Sequence, residues 1–379
     1  MTLTPLDSQR LQEALVLAEG SFGLSDPNPR VGCILGTSDG RLLGHGATQA
    51  AGGPHAEVVA IREARSSGHD LGGATAWVTL EPCAHHGRTP PCCDALIEAG
   101  IGRVVVALAD PFPAVNRAGI AKLRAAGIEV VLAEGAIAEA AAYINIGFLS
   151  RVLRGRPWVR MKIAASLDGR TALPNGRSRW ITSEAAQRDG HAWRRRASAV
   201  LTGVGTVRAD DPRLDVRWVD TASQPLRVVV DSRFSLSPGA RLLAPPGSVL
   251  VVGAVDPASA SPTLAAAGAE LISLPGADGR VDLGKLLHHL ASRGVNELHV
   301  EAGAVLNGAL LGGGWVDEVL CYLAPKLLGP GRSMLDGPVL ESLDDALALE
   351  VQSLWTCGPD VAIRAQSRGG RQFRNQTLG

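Results

Sequence analysis

The chain has 379 residues, 46% of them apolar, and its 37 Lys and Arg balance its 37 Asp and Glu to a formal net charge of zero. That length exceeds what one hydrophobic core usually serves, so two domains are expected. The charge balance argues against a general nucleic-acid or membrane-surface partner, since either would favour a basic excess. Six cysteines are too few for a disulfide scaffold in a chain this long. A reduced, cytoplasmic protein follows, and its clustered cysteines become metal or catalytic candidates. Residues 1–10 lack the charged and then apolar pattern of a signal peptide, and no apolar run is long enough to span a bilayer.

In chain order, Thr4-Pro5-Leu6-Asp7 reads as a helix start, with Thr4 as N-cap, Pro5 in the first turn and Asp7 closing a capping box. Leu11, Leu15 and Ala18 share one face, and Gly20 ends the helix. The prolines in Ser25-Asp26-Pro27-Asn28-Pro29 make a loop. Residues 31–35 and 41–44 flank Asp39-Gly40, a hairpin turn signal. The pattern then predicts helix at 56–66, strand at 75–80, helix at 92–99, strand at 103–108, helix at 117–126, strand at 128–132 and helix at 136–149. Alternation of this kind marks an α/β layer fold with a largely parallel sheet.

Arg151 to Pro157 combines charge, Gly and Pro and reads as a domain junction, giving domains at 1–150 and 151–379. Beyond it, strands are expected at 158–165, 198–203, 226–231, 249–252, 269–274, 296–301 and 316–323. Helices are expected near 184–197, 258–267, 282–292 and 304–311. The segments 215–225 and 253–280 are rich in Pro, Gly and Ala and carry no clear period.

The chemistry-bearing residues cluster in the first domain. His55-Ala56-Glu57 is followed by Pro82-Cys83 and by Cys92. One imidazole and two thiolates make a three-ligand zinc site with the fourth tetrahedral position open, the arrangement of catalytic rather than structural zinc. Glu57 lies two residues from His55 at a predicted helix start, where it can shuttle a proton without ligating the metal. Cys92 follows Thr89-Pro90-Pro91 at another helix start, where the helix dipole favours a thiolate. His-x-Glu with Pro-Cys and a later Cys is the zinc-deaminase signature, although the cysteines here are separated by residues 84–91 rather than by two. Cys93 is expected to point elsewhere and pack, as are Cys33, Cys321 and Cys357. His85 and His86, in the intervening loop, are open to a substrate contact or to plain solvation.

The long spacing is itself informative. His55-Ala56-Glu57-Val58 with Val78 to Cys92 (Val-Thr-Leu-Glu-Pro-Cys-Ala-His-His-Gly-Arg-Thr-Pro-Pro-Cys) resembles the bifunctional deaminase–reductases of riboflavin biosynthesis. So do Pro27-Asn28-Pro29-Arg30-Val31-Gly32, which in that family helps wall the deaminase pocket, and Asp110-Pro111. The resemblance continues through Lys162, Ala165-Ser166-Leu167-Asp168-Gly169-Arg170, Trp180-Ile181-Thr182-Ser183, Gly203-Val204-Gly205-Thr206-Val207, Ala209-Asp210-Asp211-Pro212 and Asp231-Ser232. It closes with Val300-Glu301-Ala302-Gly303 and Ala324-Pro325-Lys326-Leu327-Leu328-Gly329.

The resemblance implies an α/β fold, with a cytidine-deaminase-like three-layer domain and then a dihydrofolate-reductase-like domain. It implies zinc on His55, Cys83 and Cys92, with Glu57 catalytic, in a deamination of 2,5-diamino-6-(5-phosphoribosylamino)pyrimidin-4(3H)-one. It further implies NADPH-dependent reduction of the product's ribosyl chain. The cofactor would contact Ala164, Ser178, Trp180, Thr206, Asp210, Ser232 and Gly303-Ala304-Val305-Leu306-Asn307-Gly308-Ala309. The substrate would contact Arg194, Leu214, Arg217 and Glu301. Two arginines suit a ribose phosphate. Arg195 and Arg196 read as a solvated helix face, and Lys162 and Asp168 as groups that orient polar atoms near the reduced carbon. A homo-oligomer is compatible with the resemblance.

By its own residues the second half says less. Gly203-x-Gly205 lacks the third glycine of a dinucleotide fingerprint, and Glu301-Ala302-Gly303 is either a phosphate-binding helix start or a bare turn. A deaminase of another base with a non-catalytic second domain, and a structural zinc module, are the competing readings.

Overall fold

The computed structural model describes residues 3–84, 90–110, 117–260 and 262–378. His85 and His86, and the Pro111 of the Asp110-Pro111 pair, lie outside the described residues. The chain divides into two compact units, Met1–Arg154 with Arg374–Gly379, and Gly155–Phe373. Among the described residues no single helix is long and apolar enough to cross a membrane.

The first unit opens with helix α1 (Pro5–Glu19). The Thr4 hydroxyl accepts from the Asp7 N–H, and Asp7 reaches back to the Thr4 N–H. Asp7 is buried, and it also accepts from the Trp77 indole at 2.8 Å and from Arg103 at 2.6 Å, so the cap doubles as a tie to the sheet. Strands β1 (Gly32–Gly36) and β2 (Leu42–Ala47) form the hairpin, followed by α2 (Ala56–Ser66), β3 (Thr75–Val78), α3 (Cys92–Glu98), β4 (Arg103–Val106), α4 (Ala118–Ala125) and β5 (Glu129–Leu132). They make a five-stranded sheet in the order β2-β1-β3-β4-β5, antiparallel at β1 and parallel from β3 to β5.

Helices α1 and α2 lie on opposite faces of this sheet. A Cβ at Gly32 would meet the α1 backbone at Ala14, and one at Gly46 would meet the α2 backbone at Ala56. Gly46 pairs with Cys33, the neighbour of Gly32, so the two glycines face opposite ways. The result is three layers, and the absence of a side chain at Gly46 lets the first turn of α2 sit directly on the sheet.

The expected helix over 136–149 is two helices, α5 (Ala136–Ile144) and α6 (Ile146–Arg154), bent by 72°. The break falls at Asn145, whose side chain accepts from the Arg30 N–H and donates to the Arg30 carbonyl. An amide that pairs with a distant backbone in both directions fixes the bend.

The second unit is built from β6 (Trp158–Ser166), β7 (Arg170–Ala172), α7 (Glu184–Arg196), β8 (Ala199–Gly203), α8 (Val204–Asp210), β9 (Leu226–Val230), β10 (Val249–Gly253), α9 (Pro262–Ala266) and β11 (Ala269–Ser273). Then come α10 (Leu283–Ser292), β12 (Glu297–Val300), α11 (Ala304–Gly312), β13 (Glu318–Ala324), β14 (Arg332–Ser333), β15 (Leu349–Cys357), β16 (Asp360–Ser367) and α12 (Arg368–Gln376), which belongs to this unit as far as Phe373. The nine-stranded sheet runs β11-β10-β9-β8-β12-β6-β13-β16-β15; neighbours are parallel as far as β13, and the last two strands are antiparallel. The central strands are buried on both faces, as expected of a parallel sheet covered on both sides.

Three expectations change here. The helix expected at 258–267 is a short 3-10 turn followed by α9. The β15–β16 hairpin was not expected: β15 is an exposed edge whose pairing shifts between Val351 and Ser353, so its alternation breaks mid-strand. Arg196 is buried rather than solvated. Its Nε donates to both Glu297 carboxylate oxygens, at 3.1 and 2.9 Å, and Arg160 bridges Glu297 to Glu318 at 2.7 and 2.5 Å. A helical run of three arginines does not reveal that its acidic partner lies on a strand a hundred residues later.

Candidate functional site

In the first unit, α2, α3 and the end of β3 converge. His55 is the N-cap of α2, Cys92 is the first residue of α3, and Cys83 follows β3. His55 Nδ1 lies 3.1 Å from Cys92 Sγ and 3.7 Å from Cys83 Sγ, and the three potential ligand atoms all lie within 4.8 Å of one another. The Cys92 N–H, at the α3 N-terminus, donates to Cys83 Sγ at 3.3 Å. Contacts from the Cys92 thiol, His55 and the Cys92 N–H, acting against desolvation, hold the Cys83 thiol down at about 4. A soft donor set of one imidazole and two sulfurs, with no fourth protein ligand among the described residues, fits a catalytic zinc.

Glu57 sits in the first turn of α2, 3% exposed and outside the ligand triad. Burial pushes its carboxyl up, and the Cys92 thiol is within its hydrogen-bonding reach. Cys93, by contrast, turns away from the triad. Its Sγ donates to the Pro82 carbonyl, and burial pushes it up to about 12, a thiol rather than a ligand. Cys33 and Cys357 are buried and Cys321 half-buried.

Glu81 was not singled out by sequence. It is buried, and it accepts from the N–H groups of Asp110, Gly119 and Ile120 at 3.1, 3.0 and 3.2 Å. Gly119 must lack a side chain because a Cβ there would lie 2.0 Å from the Pro82 carbonyl oxygen. The metal-binding turn is thus clamped to the start of α4 at Glu81 and Pro82.

In the second unit a cavity of about 420 Å³ opens at the carboxyl end of the sheet, beside β6, β8 and β12. This is where ligands bind in α/β sheets. Of the expected cofactor contacts it gathers Ala164, Ser178, Trp180, Thr206 and Asp210; of the expected substrate contacts, Arg194, Leu214, Arg217 and Glu301; and it includes Lys162. Ser232 is not in its wall. Within 303–309, Gly303 lies against Thr206, whereas Asn307 is buried with its amide bonded to Ala302 and Met334, and Gly308 abuts the Asp336 carbonyl.

Arg194 donates to Glu301 through Nε at 2.7 Å and Nη2 at 3.0 Å, and to the Asp215 carbonyl at 2.5 Å. Its guanidinium therefore holds Glu301. Arg213 and Arg217 flank Asp215 at the mouth, each about two-fifths exposed. Trp180, 66% exposed, presents an aromatic face, and the basic excess of the lining suits phosphate-bearing ligands such as a dinucleotide or a sugar phosphate. Asp168 stands apart from this role. Its carboxylate accepts from Ser166 Oγ and from the N–H groups of Leu328 and Gly329, which hold it down at about 2.

The cavity wall also includes Gln187, Gly190 and His191 beside Arg194. Their spacing, i, i+3, i+4 and i+7 along α7, is one helix face, and that periodicity was the signal available in the sequence.

Residues 5–108 match the cytidine and deoxycytidylate deaminase zinc-binding region, and residues 157–363 match the RibD C-terminal domain. The chain is 42% identical to the riboflavin biosynthesis protein RibD of Escherichia coli over 370 residues, 94% of this chain and 98% of that one. It belongs to the RibD family. RibD of Acinetobacter baumannii superposes with a TM-score of 0.85 at 39% identity, covering 96% of this chain and 99% of that one. The Thermotoga maritima diaminohydroxyphosphoribosylaminopyrimidine deaminase/5-amino-6-(5-phosphoribosylamino)uracil reductase does so at 0.85 and 33%, with the same coverage. The RibD fold, a deaminase-like α/β unit followed by a reductase unit, is the fold of this chain, and the chain is a bifunctional enzyme of riboflavin biosynthesis.

Proposed function

We propose that the two units catalyse consecutive steps. Residues 1–150 remove the exocyclic amino group of 2,5-diamino-6-(5-phosphoribosylamino)pyrimidin-4(3H)-one by hydrolysis. Residues 151–379 then reduce the ribosyl chain of the resulting 5-amino-6-(5-phosphoribosylamino)uracil to ribityl with NADPH. The observation that carries this reading is the His55–Cys83–Cys92 triad with a buried Glu57 beside it, in the same chain as a basic cavity at the sheet's carboxyl edge.

Zinc, held by His55, Cys83 and Cys92, would supply a Lewis acid that lowers the pKa of a bound water toward neutrality. Glu57, its carboxyl raised by burial, takes a proton from the attacking water and passes it to the ring nitrogen; it then takes the second proton, from the hydroxyl of the adduct, and passes it to the amino group, which leaves as ammonia. Cys83 and Cys92 are positioned by the clamped turn and the α3 N-terminus, and His55 by the α2 N-terminus.

In the second unit NADPH, when bound in the cavity, would supply the hydride. Ala164, Ser178, Trp180, Thr206, Asp210, Ser232 and the segment Gly303 to Ala309 are assigned to the cofactor, and Arg194, Leu214, Arg217 and Glu301 to the substrate. Arg217 at the mouth suits the phosphate, whereas Arg194 keeps Glu301 oriented toward the sugar. Positioning is the main contribution asked of these residues, since the redox chemistry belongs to the nicotinamide. A cytoplasmic location and association into a homo-oligomer belong to the same reading.

The experiment is NADPH oxidation by zinc-loaded protein, started by the diaminopyrimidine alone. Oxidation should follow ammonia release with a lag, and should begin at once when the deaminated pyrimidine is supplied. Ammonia release with no oxidation under either condition would leave a deaminase with a non-reducing second domain.

A further inference from the structure

We infer that Asp168 and Lys326 form a strut that sets the Trp180 wall of the reductase cavity, making both of them positioning residues for NADPH. The inference rests on the reading of Trp180 as a cofactor contact.

Three segments far apart in the chain meet here. After β6 the chain turns at 166–170, where Ser166 Oγ donates to Asp168 at 2.5 Å and accepts from the Arg170 N–H. Asp168 then accepts from Leu328 N at 3.1 Å and Gly329 N at 2.8 Å, and the Leu167 N–H donates to the Lys326 carbonyl at 2.9 Å. The loop after β13 is thereby fastened to the β6 turn on both sides of Leu327. From that fastened loop Lys326 extends its ammonium to the carbonyls of Trp180 at 3.1 Å and Ile181 at 2.6 Å.

The segment 178–183 is anchored at its ends by other groups. Ser178 Oγ donates to Asp210 at 3.1 Å, and Arg179 donates to the Asp210 carbonyl. Ser183 N donates to Asp360 at 2.6 Å, and Ser183 Oγ to the Cys357 carbonyl at 3.1 Å. Between these anchors the Trp180 ring is largely exposed and packs little. Its place against the cavity is fixed through the backbone, which Lys326 holds at Trp180 and Ile181 and Gln187 holds one residue later, at the Thr182 carbonyl. One cation shared by two carbonyls makes charge-assisted bonds, which are the stronger kind. The carboxylate that orders its loop acts through two N–H groups and touches no ligand itself.

The test uses the full zinc-loaded chain and reads three quantities: NADPH dissociation constant, reductase KM and kcat, and ammonia release. Lys326→Met should weaken NADPH binding about tenfold and raise its KM likewise, with kcat changed by less than about threefold, because a displaced wall costs binding before it costs chemistry. Lys326→Arg should restore most of the affinity. Asp168→Asn should shift binding in the same direction, and the double variant should be no weaker than the worse single one, as expected for two links of one strut. Ammonia release should stay at the wild-type rate throughout, and the retained reductase kcat is what separates positioning from loss of fold in the second unit. Trp180→Ala is the control for the underlying reading. If it weakens NADPH binding while Lys326→Met does not, the strut is wrong and the cofactor site stands; additive Asp168 and Lys326 effects would overturn the strut equally. If Trp180→Ala leaves NADPH binding unchanged, the assignment of Trp180 fails and the strut falls with it.

Discussion

Arg194 and Glu301 are joined by two parallel hydrogen bonds, Nε to Oε1 at 2.7 Å and Nη2 to Oε2 at 3.0 Å. Burial alone would raise the Glu301 carboxyl, but the Arg194 and Lys162 cations outweigh it and keep it well below the usual carboxylate range. Glu301 therefore remains an anionic acceptor at any working pH, aimed by a planar fork that lysine cannot reproduce. Arg194→Lys should lower reductase kcat/KM by about tenfold to a hundredfold, the equivalent of losing one charge-assisted bond of about 1.5–3 kcal/mol. Ammonia release should not change. Steady-state kinetics of both reactions on the one variant checks it.

Cys92 and Cys93 are neighbours with opposite roles. Cys92 Sγ faces His55 at 3.1 Å, whereas Cys93 Sγ faces the Pro82 carbonyl at 3.2 Å. Cys92→Ser should lose bound zinc on purification and lose ammonia release with it. Cys93→Ser should keep one zinc per chain. Metal analysis of the two variants decides the matter, and the reverse pattern would mean that the ligand is misassigned by one residue.

How much of this was legible in the sequence differs between the two sites. The residues of the metal triad lie at element starts that local signals mark: prolines before Cys92, and an apolar period opening at Ala56. The strand before Cys83 and the helix start at Cys92 therefore pointed to both sulfurs at the carboxyl edge of one sheet. The reductase cavity has no comparable local signature. Arg194 needs Glu301, Lys326 needs the Trp180 carbonyl, and Arg196 needs Glu297, and each partner is supplied by sheet order rather than by spacing. The Asn145 break was illegible for the same reason, since its cause is the backbone of Arg30.

Arg160 is fully buried and bridges two equally buried carboxylates, Glu297 and Glu318. Removing the central cation leaves each acid with a reduced set of partners, and breaking a buried pair in this way typically costs about 3–5 kcal/mol. Arg160→Met should therefore lower the denaturant midpoint of the second unit markedly. An unchanged midpoint would mean that Arg196 and Arg364 suffice as partners.

His299 is buried on β12 and, with burial as the main cause, is held down at about 3. A base whose pKa is depressed on folding is neutral in the native state where the unfolded chain is already protonated. The unfolded state then binds more protons between about pH 6.5 and 3, so stability falls as the pH drops through that window. The slope from one such histidine is up to about 1.4 kcal/mol per pH unit. His299→Leu should flatten the decline of the urea midpoint between pH 6.5 and 4.5. An unaltered slope would place the acid sensitivity elsewhere.

The most direct test of the account is Glu57→Ala in the zinc-loaded chain. The account predicts one zinc per chain, ammonia release from the diaminopyrimidine reduced by about a hundredfold or more, and undiminished NADPH oxidation when the deaminated pyrimidine is supplied. Ammonia release at the wild-type rate from that variant would contradict the role of Glu57 as the proton carrier and, with it, the reading of the triad as the deaminase centre.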